Sequence, residues 1–306
     1  MCAREGAATG CRGLDVDSLL RIVASDLGGR KVSALSCPSI WEEALALCLA
    51  AEGVTIVTGF FIASAGASET DGPAGSVALG RAMELLGRRV RLVTDSRSSL
   101  VLSTCSAALG GPPVAVMDGP HPDALEGADL LIFLERPGCA GDGRYYNMRG
   151  KDISASVVPL DDLAARALEH GLPVIGIGDG GNEAGMGALY EPLKRLIPEY
   201  ARCLSRVPAT VCLPVDVSNW GGTALAALLS AASGRWVGLS SSEEERALRA
   251  AVGAGAVDGT TGRRTLSVDG FPLERLERVT AQLEDWYRCG KDVFKKTKSC
   301  LKCDAR

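Results

Sequence analysis

The stretch from Val174 to Gly187, which reads VIGIGDGGNEAGMG, constrains the fold of this 306-residue chain more than any other. It opens with a short apolar run, rich in β-branched residues, which is typical of a buried strand. The glycines that follow favour a turn, because glycine adopts positive φ and lets the backbone approach a ligand closely. We expect a helix from Glu183 to about Leu196. Open α/β sheets build ligand sites from such units of strand, polar turn and helix, at the carboxyl ends of their strands.

Three interpretations of this turn are open. The spacing of Gly176, Gly178 and Gly181 matches the dinucleotide fingerprint, but that motif belongs in a βαβ unit with an acidic residue ending the next strand. Here Asp179 and Glu183 lie within the turn itself, where their negative charges would repel a pyrophosphate. A tight turn with a side-chain cap and no ligand is the plainer alternative. So many carboxylate and amide groups favour a third interpretation, a site for a cationic or hydroxylic group or a divalent metal.

The composition favours a buried sheet covered by helices. Hydrophobic residues make up 46% of the chain and aromatic residues only 5%, which indicates a core of Ala, Val, Leu and Ile. That balance is typical of a parallel sheet with helices on its faces. The net charge of −4 argues against a nucleic-acid partner, and no apolar run reaches membrane-spanning length.

The first residues contain no secretory signal and match a transit peptide poorly. We therefore expect a cytoplasmic protein, with the mitochondrial matrix as the alternative. We expect its partner to be a small acidic amino acid, with no nucleic-acid or membrane partner. Self-association into a homo-oligomer stays open.

Apolar runs alternate with polar turns and helical patterns along the chain. Strands are predicted at residues 54–62, 89–95, 113–117, 128–134, 174–177 and 209–215. Helices are predicted at residues 14–27, 38–51, 74–86, 98–109, 161–170, 183–196, 223–233, 243–252 and 273–287. This order predicts a doubly wound, mostly parallel sheet in a Rossmann-like three-layer α/β fold, with an N-terminal helical layer. We assign residues 14–288 to a single domain, and residues 1–13 and 289–306 to flexible termini.

Acidic or amide side chains follow five of the predicted strands. They are Glu69 and Asp71, Asp95, Glu135, Asp179 and Glu183, and Asp216 and Asn219. The carboxyl ends of parallel strands gather at one edge of a sheet, so we expect these groups to form one anionic rim. Such a rim is costly unless it binds something.

The same rim predicts a metal held by oxygen atoms. Carboxylates are the ligands that Mg²⁺ and Mn²⁺ prefer in proteins. The expected ligands are Asp71, Asp95, Asp179 and Glu183. The two histidines, His121 and His170, lie beside turn or helix-end signals, and we interpret both as structural or exposed.

Four short motifs together resemble one protein family. They are residues 69–75 (ETDGPAG), 176–187 (GIGDGGNEAGMG), 218–221 (SNWG) and 257–259 (VDG). On these motifs the chain from Leu14 to Asp285 is similar to the D-glutamate cyclase-like C-terminal domain family, formerly a domain of unknown function. The long glycine motif is the most specific of the four. The resemblance implies a lyase that converts D-glutamate to 5-oxo-D-proline with loss of water.

The resemblance also implies that the animal enzyme is a two-part mitochondrial protein, with a different domain before this one. Which part carries the activity is open. A non-catalytic module that binds an acidic amino acid or a related metabolite is therefore the alternative.

The cyclisation implies roles for residues in these motifs. The amine of the substrate must lose a proton before it attacks the side-chain carboxyl, and Asp179, Glu183 and Asp71 are the candidate catalytic carboxylates. Backbone N–H groups of the glycine turn are expected to stabilise negative charge on the attacked oxygens. An arginine is expected to bind the α-carboxylate through two hydrogen bonds, a surface ion pair being the alternative for each arginine. The substrate-binding candidates are Glu69, Thr70, Gly72, Arg136, Arg144, Asn147, Arg149, Gly180, Gly181, Asn182, Asn219 and Trp220.

Overall fold

The computed structural model describes residues 14–119 and 122–300, with only the backbone given for Pro122 and residues 291–300. The predictions made for residues 1–13, His121 and the chain from 301 onward concern parts that lie outside the described residues. His170 is exposed directly after a helix, as expected.

The strands form one large sheet and two short hairpins. They are β1 (Gly53–Thr58), β2 (Phe61–Ile62), β3 (Ala67–Ser68), β4 (Arg89–Thr94), β5 (Val114–Val116), β6 (Leu130–Leu134), β7 (Val174–Gly178), β8 (Val211–Pro214), β9 (Ser267–Val268) and β10 (Phe271–Pro272). The large sheet has the order β5–β4–β1–β6–β7–β8, and every neighbouring pair is parallel. β2 pairs with β3 and β9 with β10 in antiparallel hairpins, and neither hairpin is among the elements predicted above.

Helices cover both faces of the sheet. They are α1 (Val16–Val23), α2 (Pro38–Ala50), α3 (Pro73–Leu85), α4 (Ser99–Leu109), α5 (Asp162–Glu169), α6 (Tyr190–Leu196), α7 (Ser218–Ser233), α8 (Ser241–Gly253) and α9 (Leu273–Cys300). The predicted doubly wound three-layer α/β fold is confirmed. α1 and α2 both pack against α7, so the predicted N-terminal helical layer belongs to the same layer as helices from the second half of the chain.

The strand order reverses between β1 and β6. The chain fills β1, β4 and β5 toward one edge of the sheet, and β6, β7 and β8 toward the other. Ligands of such sheets bind outside the carboxyl ends of the strands at this switch point. Gly59 follows β1 and Glu135 follows β6 at this point, where the N–H of Gly59 donates to the carbonyl oxygen of Glu135 at 3.1 Å.

Alternate residues of each strand pack into different cores, because successive side chains of a strand point to opposite faces. Ile56 of β1 lies in the larger core, which α1 to α4 and α7 to α9 cover. Its neighbour Val57 lies in the smaller core, which α5 and loop segments cover.

The helix predicted from Glu183 begins later than expected. After β7 the chain forms an irregular turn, then a 3-10 turn at Met186–Leu189, and only then α6. Gly181 and Gly185 both have a φ of 92°, which a right-handed helix does not allow. Glu183 therefore lies inside the turn and not at a helix start.

Two predicted boundaries shift for local reasons. The strand predicted at 54–62 ends at Thr58, because Gly59 turns the chain with a φ of 115°. α1 ends at Val23 instead of residue 27. The Asp216 carboxylate accepts the N–H groups of residues 25–27, which holds this segment in a loop.

α9 continues beyond its predicted end at residue 287 and through Cys300, into the segment expected to be a flexible terminus. Among residues 14–119 and 122–300, no helix combines the length and the apolar character that crossing a membrane requires.

Candidate active site

The glycine turn after β7 curls around the carboxylate of Glu183. One oxygen accepts the N–H groups of Asp179 at 3.3 Å and Gly180 at 2.7 Å, and the other accepts that of Gly181 at 2.7 Å. Burial raises the pKa of Glu183, and these N–H groups oppose the rise. The N–H groups of Gly180 and Gly181 are therefore directed at the protein's own carboxylate. The expectation that they stabilise charge on a substrate is wrong.

Carboxyl groups from several segments meet around Asp179. Oxygens of Asp71, Asp179 and Asp269 lie within 4.8 Å of one another, and oxygens of Glu135, Asp179 and Glu183 do the same. Asp179 belongs to both groups and is 2% exposed. We call these five residues, together with the buried Glu69, the acid cluster. The predicted meeting of strand ends at one edge therefore holds for Asp71 and Asp179.

One arginine neutralises part of the acid cluster. The Nη1 atom of Arg30 forms an ion pair with Oδ1 of Asp179, and its Nη2 lies 3.1 Å from Oδ2 of Asp269. Arg30 comes from the loop between α1 and α2, and its side chain is about a third exposed. The guanidinium is therefore partly exposed, whereas the Asp179 carboxylate that it contacts is buried.

The crowding of buried carboxyl groups changes their acidity. Burial raises the pKa of Asp179 well above its ordinary value, and Arg30 opposes this rise. Burial also raises the pKa of Glu69 and of Glu135 well above their ordinary values, and neighbouring carboxylates add to it. The pKa of Asp71 rises to about 7, mainly through burial. Part of the acid cluster therefore keeps protons at neutral pH unless a cation replaces them.

Two oxygens of the acid cluster lack a partner. Oδ2 of Asp179 and Oε1 of Glu69 are buried and accept no hydrogen bond from the described residues. Buried polar atoms are satisfied in the large majority of native proteins, so an unsatisfied one needs an explanation. A ligand that donates a hydrogen bond or a positive charge would satisfy both oxygens.

Asp71 and Asn219 hold the scaffold behind the cluster. Asp71 accepts the N–H groups of Ser218 at 2.9 Å and Asn219 at 2.7 Å, at the start of α7. In return, the Asn219 side-chain oxygen accepts the N–H groups of Gly72 at 3.0 Å and Gly75 at 2.7 Å, at the start of α3. The amide of Asn219 also donates to the Thr70 carbonyl at 3.0 Å. Thr70, Gly72 and Asn219 thus join two helix starts and do not line the cavity described next.

A cavity of about 540 Å³ adjoins the acid cluster. Its acidic lining consists of Glu69, Glu135, Asp179, Glu183, Glu199 and Asp269. Its basic lining consists of Arg30, Lys31, Arg149 and Lys151. Its apolar lining includes Phe60, Phe61, Ile62, Met148 and Ile153. The volume is typical of small-molecule sites, and the two kinds of charge suit a ligand that carries both an amine and carboxylates.

A family model agrees with the motifs in this site. The model for the family described as D-glutamate cyclase-like, C-terminal, matches residues 19–284. The chain belongs to this D-glutamate cyclase-like family. The match includes every residue of the acid cluster and all nine strand and helix elements from β4 to α7.

A relative of known name supports the same assignment. The human protein "D-glutamate cyclase, mitochondrial" is 32% identical over 236 residues, which are 70% of this chain and 38% of that protein. The chain therefore spans about two fifths of the length of this relative.

Two residues expected at the site of this D-glutamate cyclase-like protein are structural. Arg136, a candidate for binding the substrate carboxylate, is fully buried. It pairs with Asp95 at 2.6 Å and donates to the carbonyls of Gly59 and Val158. Asp95, an expected metal ligand, is therefore already neutralised. Neither residue lines the cavity, because the two are paired with each other at the ends of β6 and β4, which β1 separates in the sheet.

Two further candidates lie away from the cavity. Arg144 is more than half exposed and pairs with Asp152 at 3.3 Å, which is the surface ion pair left open as the alternative. Trp220 is buried against Phe271, with ring centroids 5.3 Å apart. Neither residue lines the cavity.

Three other candidates of the D-glutamate cyclase-like site do line the cavity. They are Asn147, Arg149 and Asn182. Asn147 shapes its own loop by accepting the N–H groups of Arg149 and Lys151, both at 3.0 Å. The amide of Asn182 donates to the carbonyl of Tyr146 at 2.9 Å, which joins this loop to the glycine turn.

Sequence reasoning identifies neither Arg30 nor Asp269 as a site residue, and it leaves Glu135 on the rim without a role. The signal for Asp269 is the Asp–Gly pair between two short β-type runs. It favours a two-residue hairpin turn, and both Asp269 and Gly270 have positive φ. No local pattern marks Arg30, because its role depends only on tertiary contacts.

Proposed function

We propose that this chain is a D-glutamate cyclase-type lyase, which converts D-glutamate to 5-oxo-D-proline with loss of water. The observation that carries the proposal is a cavity lined both by basic side chains and by Asp179, whose buried Oδ2 has no partner among the described residues. A substrate with one amine and two carboxylates matches both kinds of charge. Membership of the D-glutamate cyclase-like family and the name of the human relative support the same reaction.

Asp179 is the base in this proposal. The substrate ammonium must lose a proton before its nitrogen can attack, and a carboxylate with a raised pKa accepts that proton better than an ordinary one. The nitrogen then forms a bond to the side-chain carboxyl carbon and gives up a second proton, and one carbon–oxygen bond of that carboxyl breaks, so the two protons lost by the nitrogen balance the two that the departing oxygen takes up. Glu183 instead holds the turn that positions Asp179, because backbone N–H groups already bind both of its oxygens.

Glu69 is the acid in this proposal. The oxygen that leaves the carboxyl must take up protons to depart as water. Burial raises the pKa of Glu69 well above its ordinary value, which favours the protonated form that an acid needs. Its Oε1 has no partner among the described residues, and it lines the same cavity as Asp179. Arg30 bonds Asp179 and favours its charged form, whereas Glu69 forms no ion pair with the described residues, so we assign the base to Asp179 and the acid to Glu69.

The basic side chains recognise the carboxylates. Arg149 donates one N–H of its guanidinium to the Thr260 carbonyl at 2.7 Å, which fixes the side chain at the cavity. Its other donors and the ammonium of Lys151 then bind the α-carboxylate. This division places the amine at the acid cluster and the α-carboxylate at the basic side.

A divalent cation, Mg²⁺ or Mn²⁺, is part of the proposal. Its ligands would be Glu135, Asp179 and Glu183, an all-oxygen set of the kind these ions prefer, and the unpartnered Oδ2 of Asp179 fits a ligand role. When bound, such an ion would supply positive charge that polarises the carboxyl under attack.

Direct detection of the product tests the reaction. The purified chain is incubated with D-glutamate, with and without Mn²⁺, and 5-oxoproline is followed by NMR. L-Glutamate and the Asp179→Asn variant are the controls. Product that forms only with D-glutamate and intact Asp179 supports the proposal, whereas no product under any condition contradicts it.

A second function, a non-catalytic binding module for an acidic amino acid, is favoured by one observation. The chain spans only about two fifths of the human relative, so the activity in that protein's name can belong to the rest of its length. A binding module would be stabilised by D-glutamate in a thermal-shift assay without making product. The word "mitochondrial" in the relative's name favours a mitochondrial location over the cytoplasm for this chain, and imaging the tagged chain in cells tests that location.

A further inference from the structure

The guanidinium of Arg30 bonds two members of a group of three carboxyl groups that lie close together. Asp71, Asp179 and Asp269 each bring one oxygen within 4.8 Å of the others. Arg30 bonds two of them, through Nη1 to Asp179 and through Nη2 to Asp269. The protein itself therefore supplies an organic cation to this position.

The fit of Arg30 to this position is incomplete. Its Nη1 contacts Oδ1 of Asp179, while Oδ2 of the same carboxyl is buried and has no partner among the described residues. A guanidinium is a flat fork whose N–H groups point in fixed directions. A primary ammonium is compact and carries three donors that rotate about one bond, so it can reach both oxygens of Asp179 and a neighbouring carboxyl together.

The surroundings of Arg30 also allow its side chain to leave the acid cluster. Its side chain is about a third exposed, whereas that of Asp179 is 3% exposed. The residues on either side, Gly29 and Lys31, have φ values of 68° and 66° in a loop outside any helix or strand. Arg30 and Lys31 both line the cavity, so the side chain can leave the cluster and stay within the site.

We infer that Asp71, Asp179 and Asp269 form a subsite for the primary ammonium group of a ligand, and that Arg30 leaves this subsite on binding and contacts a carboxylate of the same ligand. The inference rests on the proposed function for the site's location. It names the ligand class as compounds in which a primary ammonium and a carboxylate are joined by a short chain.

The exchange of Arg30 for a ligand ammonium lets the site distinguish ligands that carry both an ammonium and a carboxylate from ligands that carry only one of them. A lone amine must compete with Arg30 for the carboxyl groups, so part of its binding free energy is lost. A lone dicarboxylate must draw Arg30 away from Asp179 and Asp269, which leaves these acids uncompensated. A ligand with both groups replaces Arg30 and engages it at once, and therefore binds more tightly than either half predicts.

Binding experiments on the unmodified chain test this first. Propylamine carries the ammonium alone and glutarate carries two carboxylates alone, and protein NMR titration measures the dissociation constant of each. We expect saturating glutarate to tighten propylamine binding by roughly fivefold or more, because it holds Arg30 out of the subsite. Glutarate that leaves propylamine binding unchanged, or weakens it, would overturn the inference.

Variants at position 30 give an independent test. Arg30→Met keeps the bulk of the side chain and removes the charge, and we expect it to tighten propylamine binding and weaken glutarate binding, each by about tenfold. Arg30→Lys keeps the charge and should restore much of the glutarate affinity. The control is Arg249→Met, which removes an exposed arginine that pairs with Glu245 on α8.

A purely structural Arg30 would give a different result. Both affinities would then fall together in Arg30→Met, or neither would change, and either outcome rejects the subsite. If Arg30→Met does not fold, the glutarate effect in the unmodified chain decides alone. None of these measurements uses turnover. If D-glutamate gives product but the propylamine and glutarate affinities do not shift in opposite directions in Arg30→Met, the subsite is rejected and the cyclase function stands. If the two affinities shift in opposite directions and no product forms, the subsite stands and the cyclase function is rejected.

Discussion

Arg30 and Asp179 lie 149 positions apart in the sequence and form an ion pair at the centre of the acid cluster. Arg30 belongs to a loop between two helices, and Asp179 to the turn after a central strand. The two side chains differ in exposure to solvent, because the arginine is partly exposed and the aspartate is buried. Asp179 therefore has a fixed position, and the state of the site depends on which cation stands next to it.

We expect Asp179→Asn to lower turnover by about 10²–10⁴ while the fold stays intact, because the substitution keeps the size of the side chain and removes the base. Turnover and melting temperature are measured on one preparation. The matched control, Asp152→Asn, removes an exposed carboxylate that pairs with Arg144. Near-normal turnover in Asp179→Asn would mean that Asp179 only shapes the turn.

We expect Mn²⁺ or Mg²⁺ to raise the melting temperature, because a ligand that binds only the folded state stabilises it by mass action. Glu135→Gln should weaken this effect, since it removes one carboxylate of the Glu135, Asp179 and Glu183 group. Asp95→Asn serves as the contrast, because Asp95 is already paired with Arg136. It should lower stability but leave the metal-dependent increase in place. No increase with either ion in the unmodified chain would remove the metal from the proposal.

We expect the free energy of unfolding to fall as the pH rises from about 5 to 8. The pKa of Asp71 rises to about 7 in the folded protein, and the pKa of Glu69 lies well above its ordinary value. Groups with raised folded-state pKa values stabilise the fold while they are protonated, and this stabilisation is lost as the pH passes the folded pKa.

The Glu69→Gln variant tests that slope. Glutamine resembles the protonated acid, so the variant should lose less stability than the unmodified chain between pH 5 and 8. Glu126→Gln changes an exposed glutamate and should leave the slope unaltered. Denaturant unfolding at several pH values provides the measurement, and a slope that Glu69→Gln leaves unchanged would contradict the prediction.

We expect Gly75→Ala to destabilise the fold by about 1–3 kcal/mol. A Cβ at Gly75 would lie 2.6 Å from the Cα of Asn219, so α3 and α7 would have to separate. The matched control is Gly253→Ala at the end of α8, where a Cβ meets nothing within 4 Å. That substitution should stabilise by about 0.4–1 kcal/mol, because it restricts the unfolded chain. Equal effects of the two substitutions on denaturant unfolding would show that the contact between α3 and α7 tolerates a methyl group.

The sheet and the location of the site follow from local patterns in the sequence. Short β-branched runs followed by acids predict the strands, and parallel order brings Asp71 and Asp179 to the same edge. The turn is only partly predictable, because the helix expected from Glu183 gives way to backbone bonds that the Glu183 side chain accepts. A propensity for helix carries no information on such a contact.

The remaining errors come from contacts between distant segments. Arg136 follows a strand in a stretch with proline and glycine, and this local context is typical of an exposed residue. Its partner Asp95 follows β4, which is separated from β6 in the sheet by β1. Arg30 lies in an irregular loop for the same kind of reason, and only the folded chain brings it to Asp179.

The hairpin of β9 and β10 is the last part of the acid cluster to be synthesised. Asp269 lies in this hairpin, after every other member of the acid cluster in the order of synthesis. A ribosome that has produced Arg30 and the strands of the large sheet has not yet produced the second carboxylate that holds Arg30. The nascent chain therefore carries an unfinished site until its last hairpin emerges, and ligand capture follows the completion of the fold.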